Sequence, residues 1–316
     1  MIQQPCQADH PALRAWVEIA GTGIGAVEVK VLKHRSASQV CRLNGLGPEG
    51  ANVIAKRSPK PKALAEYRIY QQVLPHVPLT SLRHYGLVEE KGTPFCWSFI
   101  EDAAGDPYSP EAQEHAAEAS ACLAVLHTSA RGVAQDLALP DRGPLYYLHC
   151  LRSGRDRLRQ TLKSARLSQE DRTVLAALAT QCDTVEARWG WIEDLCSGAP
   201  ATFVHADLYA ANIHVRTFPG GITVVPFDWE SAGWGIPAID LALEGLDLDT
   251  YCAVAGGMWS DLDIRLVRAL SRAGRIFRLL ELVACESSGL GAGWFWRPMK
   301  HLRYYRAEVA RAMDEL

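Results

Sequence analysis

The chain has 316 residues, of which 48% are hydrophobic and 22% are charged, and its formal net charge is -3 at pH 7. This length allows one large or two modest domains with a sizeable core, and the charge balance argues against a nucleic-acid-binding surface, which needs a clustered basic excess. No segment reaches the roughly 18 apolar residues of a membrane span, and residues 1–10 lack a signal-peptide pattern, so a cytoplasmic location is the default expectation.

The cysteines indicate a reduced protein. Nine cysteines are scattered along the chain, and none forms a C-x-x-C pair. This pattern favours free thiols over a disulfide framework or a zinc site.

The first part of the chain is predicted to be a small antiparallel sheet. Residues 27–32, 39–43 and 51–56 alternate or form short apolar runs that are typical of strands. Two loops compete as phosphate-binding segments. The glycine-rich residues 21–25 precede the first clear strand and are alternatively a flexible lead-in. The turn at residues 34–38 lies between two strands but has no glycine, which leaves the hydroxyl groups of Ser36 and Ser38 as candidate donors.

A lysine and a glutamate follow in a suggestive arrangement. The strand VIAK ends in Lys56, and a helix predicted over residues 61–74 carries Glu66. The helix should end near Pro75, because the residue before a proline disfavours the α conformation. Glu66 is expected to pair with Lys56. Glu28 is a weaker rival for the pair, and a solvated lysine at the end of a strand is the alternative.

The middle of the chain changes from strands to helices. Residues 82–88 and 95–100 are predicted strands, and residues 111–127, 145–162 and 167–195 are predicted helices. His127 is expected to form structural hydrogen bonds. The helix at residues 145–162 carries an arginine run, which is typical of a solvated face; it comprises Arg152, Arg155, Arg157 and Arg159.

Residues 203–242 hold the most informative polar side chains. His205 is followed by Asp207 and then by Asn212, and Asp228-Trp229-Glu230 follows an apolar run. A strand at 201–204, a loop at 207–211, a strand at 213–215 and a Gly220-Gly221 turn into residues 222–227 predict a hairpin. This hairpin would bring the polar groups to face one another.

These groups suit phosphoryl transfer. That reaction needs neutralisation of phosphate charge, Mg²⁺, and a carboxylate that orients the acceptor hydroxyl. Asp207 is the candidate orienting base, and Asn212 and Asp228 are candidate Mg²⁺ ligands because hard ions prefer oxygen donors. Loop-capping polar residues are the alternative. His205 is expected to brace the loop.

Two further acidic residues in this segment each have more than one candidate role. Glu230 could contact metal through water, bind substrate or cap a turn. Asp240 could be the N-cap of a helix over LALEGL or a clamp on the loop at residues 207–211, which carries the candidate base.

The segment HADLYAANI followed by FDWESAGWGIPAIDLA resembles the aminoglycoside phosphotransferase and choline kinase-like family. The resemblance implies an α+β, two-lobed protein-kinase-like fold. Residues 1–101 would form a small antiparallel β lobe that binds nucleotide, and residues 102–316 a helical catalytic and acceptor-binding lobe. D-W-E stands where protein kinases carry D-F-G, and no A-P-E segment follows, so a protein kinase is a weaker alternative.

The resemblance also implies roles for several residues. Residues 53–56 are similar to the V-A-I-K strand of kinases, so Lys56 would bind the α- and β-phosphates with Glu66 as its partner. The backbone of Ile100, Glu101 and Ala103 would read the base at the hinge, although a buried strand with an ordinary turn is the alternative. The implied reaction uses ATP, with GTP not excluded, and Mg²⁺ to phosphorylate a hydroxyl of a small molecule.

The acceptor and its pocket stay open at this stage. An acidic zone could receive a cationic acceptor or form solvated helix ends; it comprises Glu244, Asp247, Asp249, Asp261 and Asp263. Terminal aromatic residues could pack into the core or form a wall of the acceptor pocket; they are Trp294, Trp296, Tyr304 and Tyr305.

A second functional class is a catalytically idle nucleotide-binding protein that acts through partners. The glycine-free loop at residues 34–38 favours it. The joint presence of Lys56, Asp207 and a metal-ligand pair argues against it, because an idle protein has no chemical need for that set.

Overall fold

The structure is a computed structural model that describes residues 10–21, 28–35, 38–134, 137–164, 167–291 and 296–316. The chain divides into two compact units, each assembled from two chain segments. The first comprises Met1–Cys122 and Asp207–Ala232, and the second Leu123–Ala206 and Gly233–Leu316. The lobe boundary expected between residues 101 and 102 stays a prediction.

The first unit contains a five-stranded antiparallel sheet in the order β1-β2-β3-β5-β4. Its strands are β1 (Val29–Arg35), β2 (Ser38–Leu43), β3 (Val53–Pro59), β4 (His84–Glu89) and β5 (Phe95–Glu101). All five correspond to strands predicted from the sequence.

The first unit also contains helices and three further strands. These are α1 (Pro11–Ala20), the 3-10 helix Pro48–Gly50, α2 (Lys60–Gln72), the 3-10 helix Leu74–His76, β6 (Asp106–Pro107), the start of α3 (Gln113–Ser129), the 3-10 helix Ala210–Asn212, β9 (Ile213–Phe218), β10 (Gly221–Pro226) and the 3-10 helix Trp229–Ser231. Strands β6, β9 and β10 form a separate antiparallel sheet in the order β10-β9-β6. The division between the units falls within α3.

The loop between β1 and β2 is shorter than predicted. Arg35 pairs with Ser38 across the two strands, so His34 and Ser38 belong to strands and only residues 36–37 connect them. Ser36 lies outside the described residues, as do residues 22–27, which include most of the glycine-rich segment.

Helix α1 was not predicted from the sequence. It begins after His10, whose Nδ1 accepts a hydrogen bond from the Ala12 N–H at 3.2 Å. Leu13 and Trp16 of α1 pack in a core with Ala55 and Phe99 of the sheet. Ten residues contain too few repeats for hydrophobic periodicity to stand out, and the sheet supplies the partner that makes the helix stable.

The second unit is mainly helical. Its elements, after the end of α3, are α4 (Arg131–Ala134), β7 (Asp141–Arg142), α5 (Pro144–Thr161), α6 (Gln169–Ala187), α7 (Trp189–Ser197), β8 (Thr202–Val204), β11 (Gly233–Gly235), the 3-10 helix Pro237–Ala242, α8 (Leu248–Gly256), α9 (Ile264–Ser288), the 3-10 helix Gly289–Gly291 and α10 (Trp296–Asp314). Strands β7, β11 and β8 form a small sheet with β11 in the middle.

Two predicted helices were wrong. Residues 167–195 form two helices instead of one, because the backbone leaves the helical region at Arg188, where φ is -104° and ψ is 10°. Asp240 does not begin a helix over LALEGL. It lies inside the 3-10 helix Pro237–Ala242, which ends where Leu243 adopts an extended conformation.

The arginine run on α5 is partly solvated, as Arg152 and Arg159 are 55% and 49% exposed, but its members are also paired. Arg152 and Arg155 bind Glu186, and Arg159 binds Asp183, so these charges join α5 to α6. The fourth member of the run, Arg157, donates to the carbonyl of Ala284 at 3.2 Å.

Of the two interpretations of the terminal aromatic residues, core packing was wrong for two of them. Trp296 and Tyr304 are 64% and 61% exposed. The buried side of α10 instead carries Met299, Leu302 and Val309. Trp294 lies outside the described residues.

Every cysteine in the described part of the chain is a free thiol. Among the described helices, none is long and apolar enough to cross a membrane.

Gly274 allows α9 to lie directly against the 3-10 helix Pro237–Ala242, and this contact generates a prediction. A Cβ built on Gly274 would overlap the carbonyl oxygen of Ala238. We expect Gly274→Ala to lower the free energy of unfolding by about 1–3 kcal/mol, which is typical of overpacking. Chemical denaturation measures the change.

Gly190 of α7 provides the matched control. A Cβ there meets nothing within 4 Å, so Gly190→Ala should raise stability by about 0.5–1 kcal/mol through helix propensity. Similar effects of the two substitutions would contradict the close approach at Gly274.

Candidate active site

Lys56 and Glu66 meet on one face of the large sheet. Consecutive side chains of a strand point to opposite faces, and Ala55 packs in the core with α1, so Lys56 points to the other face. There its Nζ lies 3.0 Å from Oε2 of Glu66, which is 1% exposed. The rival, Glu28, accepts a hydrogen bond from Asn44 at 2.8 Å. The structure thus brings together the lysine and glutamate paired from the sequence.

Two further carboxylates surround the same ammonium group. Asp228 forms an ion pair with Lys56 Nζ, and Glu230 Oε2 lies 3.0 Å from it. The other oxygen of Glu230 lies 2.7 Å from Nζ of Lys62 in the first turn of α2. Sequence reasoning missed Lys62, because a lysine at a helix start carries no motif of its own.

The charges of this cluster shift its protonation equilibria. Burial alone would lower the pKa of Lys56, but the carboxylates of Glu66, Asp228 and Glu230 outweigh it and hold this pKa well above its ordinary value. Burial raises the pKa of Glu66, and Lys56 offsets only part of that rise. The ammonium is therefore what allows Glu66 to ionise in a buried position.

Asn212 directly precedes β9 and Asp228 follows β10, so the two residues flank the open end of the β9–β10 hairpin. The first pair of the hairpin joins Ile213 to Pro226, and beyond it the Phe227 N–H donates to the Asn212 carbonyl at 3.0 Å. Asp228 follows in the left-handed conformation, with φ of 70°. The hairpin therefore fixes the separation of the two candidate metal ligands.

The loop at residues 207–211, the candidate catalytic loop, is held partly by Asn212. Its Nδ2 donates to the backbone carbonyl of Asp207 at 2.8 Å, which leaves the amide oxygen of Asn212 as a possible ligand. Among the described residues, the ligand oxygens of Glu66, Asp228 and Glu230 also lie within 4.8 Å of one another, close enough to share a metal ion. The structure thus gathers oxygen donors of the kind that suit Mg²⁺.

In the second unit, Asp240 clamps the segment that leads to the catalytic loop. Its carboxylate is fully buried and accepts hydrogen bonds from the N–H groups of His205, at 2.7 Å, and Ala206, at 2.9 Å. Ala206 has a left-handed φ of 64°, which is costly for a residue with a Cβ. Of the two roles considered for Asp240, the clamp is therefore the one observed.

The ring of His127 completes the environment of this clamp. His127 is buried, and its Nε2 lies 3.1 Å from the carboxylate of Asp240, with Tyr251 bonded to the other ring nitrogen at 2.9 Å. Burial would raise the pKa of Asp240, but the hydrogen bond and charge of His127 and the His205 N–H outweigh it and hold this pKa below its ordinary value. His127 has the structural role expected from the sequence.

The candidate hinge follows β5. Ile100 lies within the sheet, paired with Ile54 and His84, and the Ala103 carbonyl accepts a hydrogen bond from Arg216 at 2.7 Å. Ser38 is the first residue of β2. The roles of Ser38, Ile100 and the other proposed nucleotide-binding residues stay predictions.

The acidic zone is used largely for helix ends. Asp247 caps α8 by accepting from the N–H groups of Asp249 and Thr250, and Asp263 caps α9 through the Leu266 N–H at 2.8 Å. These contacts agree with the helix-end interpretation for Asp247 and Asp263.

The clamp generates a prediction about stability and pH. Asp240→Asn should lower the free energy of unfolding at pH 7 by about 2–4 kcal/mol, because buried N–H groups and His127 lose a charged acceptor. A carboxylate with a lowered pKa stabilises the fold above its unfolded pKa of about 3.9 and loses that effect as the pH falls. The difference in the free energy of unfolding between the wild type and Asp240→Asn should therefore become smaller below about pH 4. Denaturation at several pH values measures it, and a constant difference would contradict the assignment.

Comparison with known proteins gives a family and a fold. Residues 29–274 match the phosphotransferase enzyme family. No match to the chain is found among curated protein sequences.

Three solved structures illustrate the structural similarity. A microcompartment-associated aminopropanol kinase has a TM-score of 0.64 and 13% identity, with 96% of this chain and 97% of that chain covered. An aminoglycoside phosphotransferase in complex with GDP and kanamycin has a TM-score of 0.62 and 14% identity, covering 92% and 97%. A spectinomycin phosphotransferase in complex with ADP and spectinomycin has a TM-score of 0.58 and 11% identity, covering 96% and 98%.

The structural matches confirm the kinase-like fold predicted from the sequence, with an antiparallel sheet and a larger helical part. The family match covers the strand that carries Lys56, the catalytic loop and the D-W-E segment. The chain belongs to the phosphotransferase enzyme family.

Proposed function

We propose that this protein transfers the γ-phosphoryl group of ATP to a hydroxyl group of a small molecule. One observation carries the proposal. In the first unit, the ammonium group of Lys56 contacts the carboxylates of Glu66 and Asp228. In the same unit, the side-chain amide of Asn212 donates to the backbone carbonyl of Asp207. Positive charge, oxygen ligands and an orienting carboxylate are the parts that phosphoryl transfer requires.

Lys56 binds the phosphates in this proposal. The ion pair with Glu66 holds its ammonium at a fixed position, and its raised pKa keeps it charged at physiological pH. A fixed charge stabilises the transferring group without reorganisation during the reaction. Lys62 and Glu230 extend the same charge network toward the start of α2.

The donor set at the hairpin suits Mg²⁺. Asp228 and Asn212 supply a carboxylate and an amide oxygen at the ends of two paired strands. The nearby carboxylates of Glu66, Asp228 and Glu230 outnumber the ammonium groups of Lys56 and Lys62 by three to two, so the cluster attracts a cation. When bound there, Mg²⁺ would neutralise phosphate charge.

Asp207 orients the acceptor. Its carboxylate accepts the hydrogen bond of the acceptor hydroxyl and directs the oxygen toward phosphorus. As the new O–P bond forms, the bond between the γ-phosphorus and the ADP oxygen breaks, and Asp207 receives the hydroxyl proton. Asn212 fixes the Asp207 backbone, and the clamped N–H groups of His205 and Ala206 immediately precede it in the chain.

The hinge reads the nucleotide base through the backbone of Ile100, Glu101 and Ala103 in this proposal. Support comes from its position after β5, directly beside the Lys56-bearing strand: Glu101 is opposite Val53 in the pairing of β3 with β5. Ser36 and Ser38 would add hydroxyl donors to the phosphates.

The acceptor is an alcohol that also carries a cationic group. Support comes from the names of similar structures, which include an aminopropanol kinase and a phosphotransferase bound to kanamycin. The experiment is transfer of labelled phosphate from ATP to a panel of amino alcohols, aminoglycosides and neutral sugars. Nucleotide binding without transfer to any acceptor would favour the idle alternative, which family membership does not support.

Asp207→Asn tests the orienting role. We expect the variant to fold and to bind ATP with Mg²⁺, because the substitution preserves shape, while the turnover number falls by about 10²- to 10⁴-fold, the typical contribution of a catalytic base. Steady-state kinetics and nucleotide titration measure the two properties. Asp156→Asn, on exposed α5 surface, is the control, and retained turnover in Asp207→Asn would overturn the assignment.

Asn212 offers a test of the metal ligands. Asn212→Asp keeps an oxygen ligand, whereas Asn212→Leu removes it. We expect Asn212→Leu to raise the Mg²⁺ concentration that gives half-maximal activity at least about tenfold, because a ligand is lost. The Mg²⁺ concentration that supports half-maximal ADP binding should rise by a similar factor. Asn212→Asp should raise both concentrations less. Equal effects of the two substitutions would argue that Asn212 acts only through its bond to the Asp207 carbonyl.

A further inference from the structure

Arg216, which lies outside the sequence motifs, donates hydrogen bonds to several acceptor groups of the hinge. Arg216 lies in β9, and its Nε donates to the Ala103 carbonyl at 2.7 Å. Its Nη2 donates to the Glu101 carboxylate at 2.7 Å and lies 3.4 Å from the Asp102 carbonyl. One guanidinium group therefore binds three consecutive residues of the hinge.

The backbone holds Arg216 in this position. Strand β6 pairs with β9 through Asp106 with Val215 and Pro107 with His214, on the two residues before Arg216. Gly105, with φ of 67°, permits this approach because a Cβ there would overlap the Val215 carbonyl. His214 also binds the Ala104 carbonyl at 2.6 Å. Arg216 is thus fixed by strand pairing on the same hairpin that carries Asn212 and Asp228 at its ends.

The remaining hinge contacts leave a specific pair of backbone groups for a ligand. The Glu101 N–H donates to the Arg83 carbonyl at 2.8 Å. In a regular antiparallel pair the Arg83 N–H would return a bond to the Glu101 carbonyl, but it donates to the Glu101 carboxylate instead, at 3.0 Å. The Glu101 carbonyl thereby keeps its acceptor capacity.

The next two residues complete the pattern. The Asp102 N–H donates to the Asn52 carbonyl at 3.2 Å, and the Ala104 N–H donates to the Asp102 carboxylate at 3.3 Å. The Ala103 N–H has no acceptor within the described segments of the chain. The hinge therefore offers one acceptor, the Glu101 carbonyl, and one donor, the Ala103 N–H.

This pair matches adenine and not guanine. Adenine presents a donor, the N6 amino group, beside the acceptor N1, which complements one carbonyl and one N–H. Guanine presents the acceptor O6 followed by the donors N1–H and N2–H, so it needs a backbone acceptor beyond the N–H. The Ala103 carbonyl is that acceptor, but one of its two lone pairs already accepts from Arg216, and the positive guanidinium group beside it repels a further N–H donor.

We infer that Arg216 makes this hinge selective for adenine over guanine nucleotides. The inference rests on the proposed nucleotide-binding role of the hinge and extends it to the choice of base. Guanine binding would place an N–H donor beside the guanidinium group, at a carbonyl whose acceptor strength Arg216 already uses, and a poorly satisfied donor typically reduces affinity on the order of 10- to 100-fold.

The test is titration of ADP and of GDP, each with Mg²⁺, into the wild type and into Arg216→Met. The substitution keeps an unbranched side chain and removes the guanidinium group with its donors. The wild type should bind ADP at least about tenfold more tightly than GDP. Arg216→Met should bring the two affinities within about threefold, mainly through tighter GDP binding. Arg216→Lys, which restores a positively charged donor group, should retain part of the preference for ADP over GDP. It replaces Arg216→Met in the test if Arg216→Met does not fold.

Arg42→Met is the matched control. Arg42 also binds the hinge, through the Asp102 carboxylate at 2.6 Å, but does not contact the Ala103 carbonyl. Its loss should change both affinities in parallel and leave their ratio intact. A purely structural role for Arg216 would give the same parallel change.

Three results would overturn the inference. An unchanged ADP-to-GDP ratio in the Arg216 variants, or a wild type without a preference for ADP, would refute base selection and leave the proposed phosphoryl transfer standing. A wild type that binds neither ADP nor GDP would refute both base selection and the proposed nucleotide-binding role of the hinge. This outcome differs from the first two because the control variant Arg42→Met would also bind neither nucleotide.

Discussion

The ammonium group of Lys56 is the charge on which the candidate site depends. Three carboxylates, from Glu66, Asp228 and Glu230, lie within 4.8 Å of one another, and Glu66 is almost fully buried. Like charges at such distances oppose ionisation of one another, and burial adds to this cost. Lys56 contacts all three, so it is what keeps a cluster of ionised oxygen ligands stable before any metal or phosphate arrives.

This requirement constrains the first unit. Lys56 comes from the middle of a sheet, Glu66 from a helix that follows directly, and Asp228 from the end of a hairpin far along the chain. Asp228 lies in the left-handed region, which costs about 1–2 kcal/mol, and its ion pair with Lys56 stabilises it there. In the second unit, Asp240 stabilises the left-handed Ala206 in a comparable way.

Much of the fold was accessible from sequence because it follows local rules. Alternating or short apolar runs located the five strands of the large sheet, and the Gly220-Gly221 turn between two strand patterns located the hairpin. The errors occur where packing overrides the local pattern. Helix α1 depends on the sheet it covers, the break at Arg188 interrupts an otherwise continuous helical pattern, and Trp296 and Tyr304 lie on the outer side of α10 because Met299 and its neighbours fill the inner side.

The sequence by itself determined the type of chemistry, because carboxylates, an amide and a lysine in this order and spacing are what phosphoryl transfer needs. Only the tertiary structure decided that Glu66 and not Glu28 meets Lys56, that Glu230 joins Lys56 to Lys62, and that Arg216 binds the hinge. These contacts join residues from separate strands and helices. Their partners are set by strand register and helix placement, which leave no local pattern in the residues themselves.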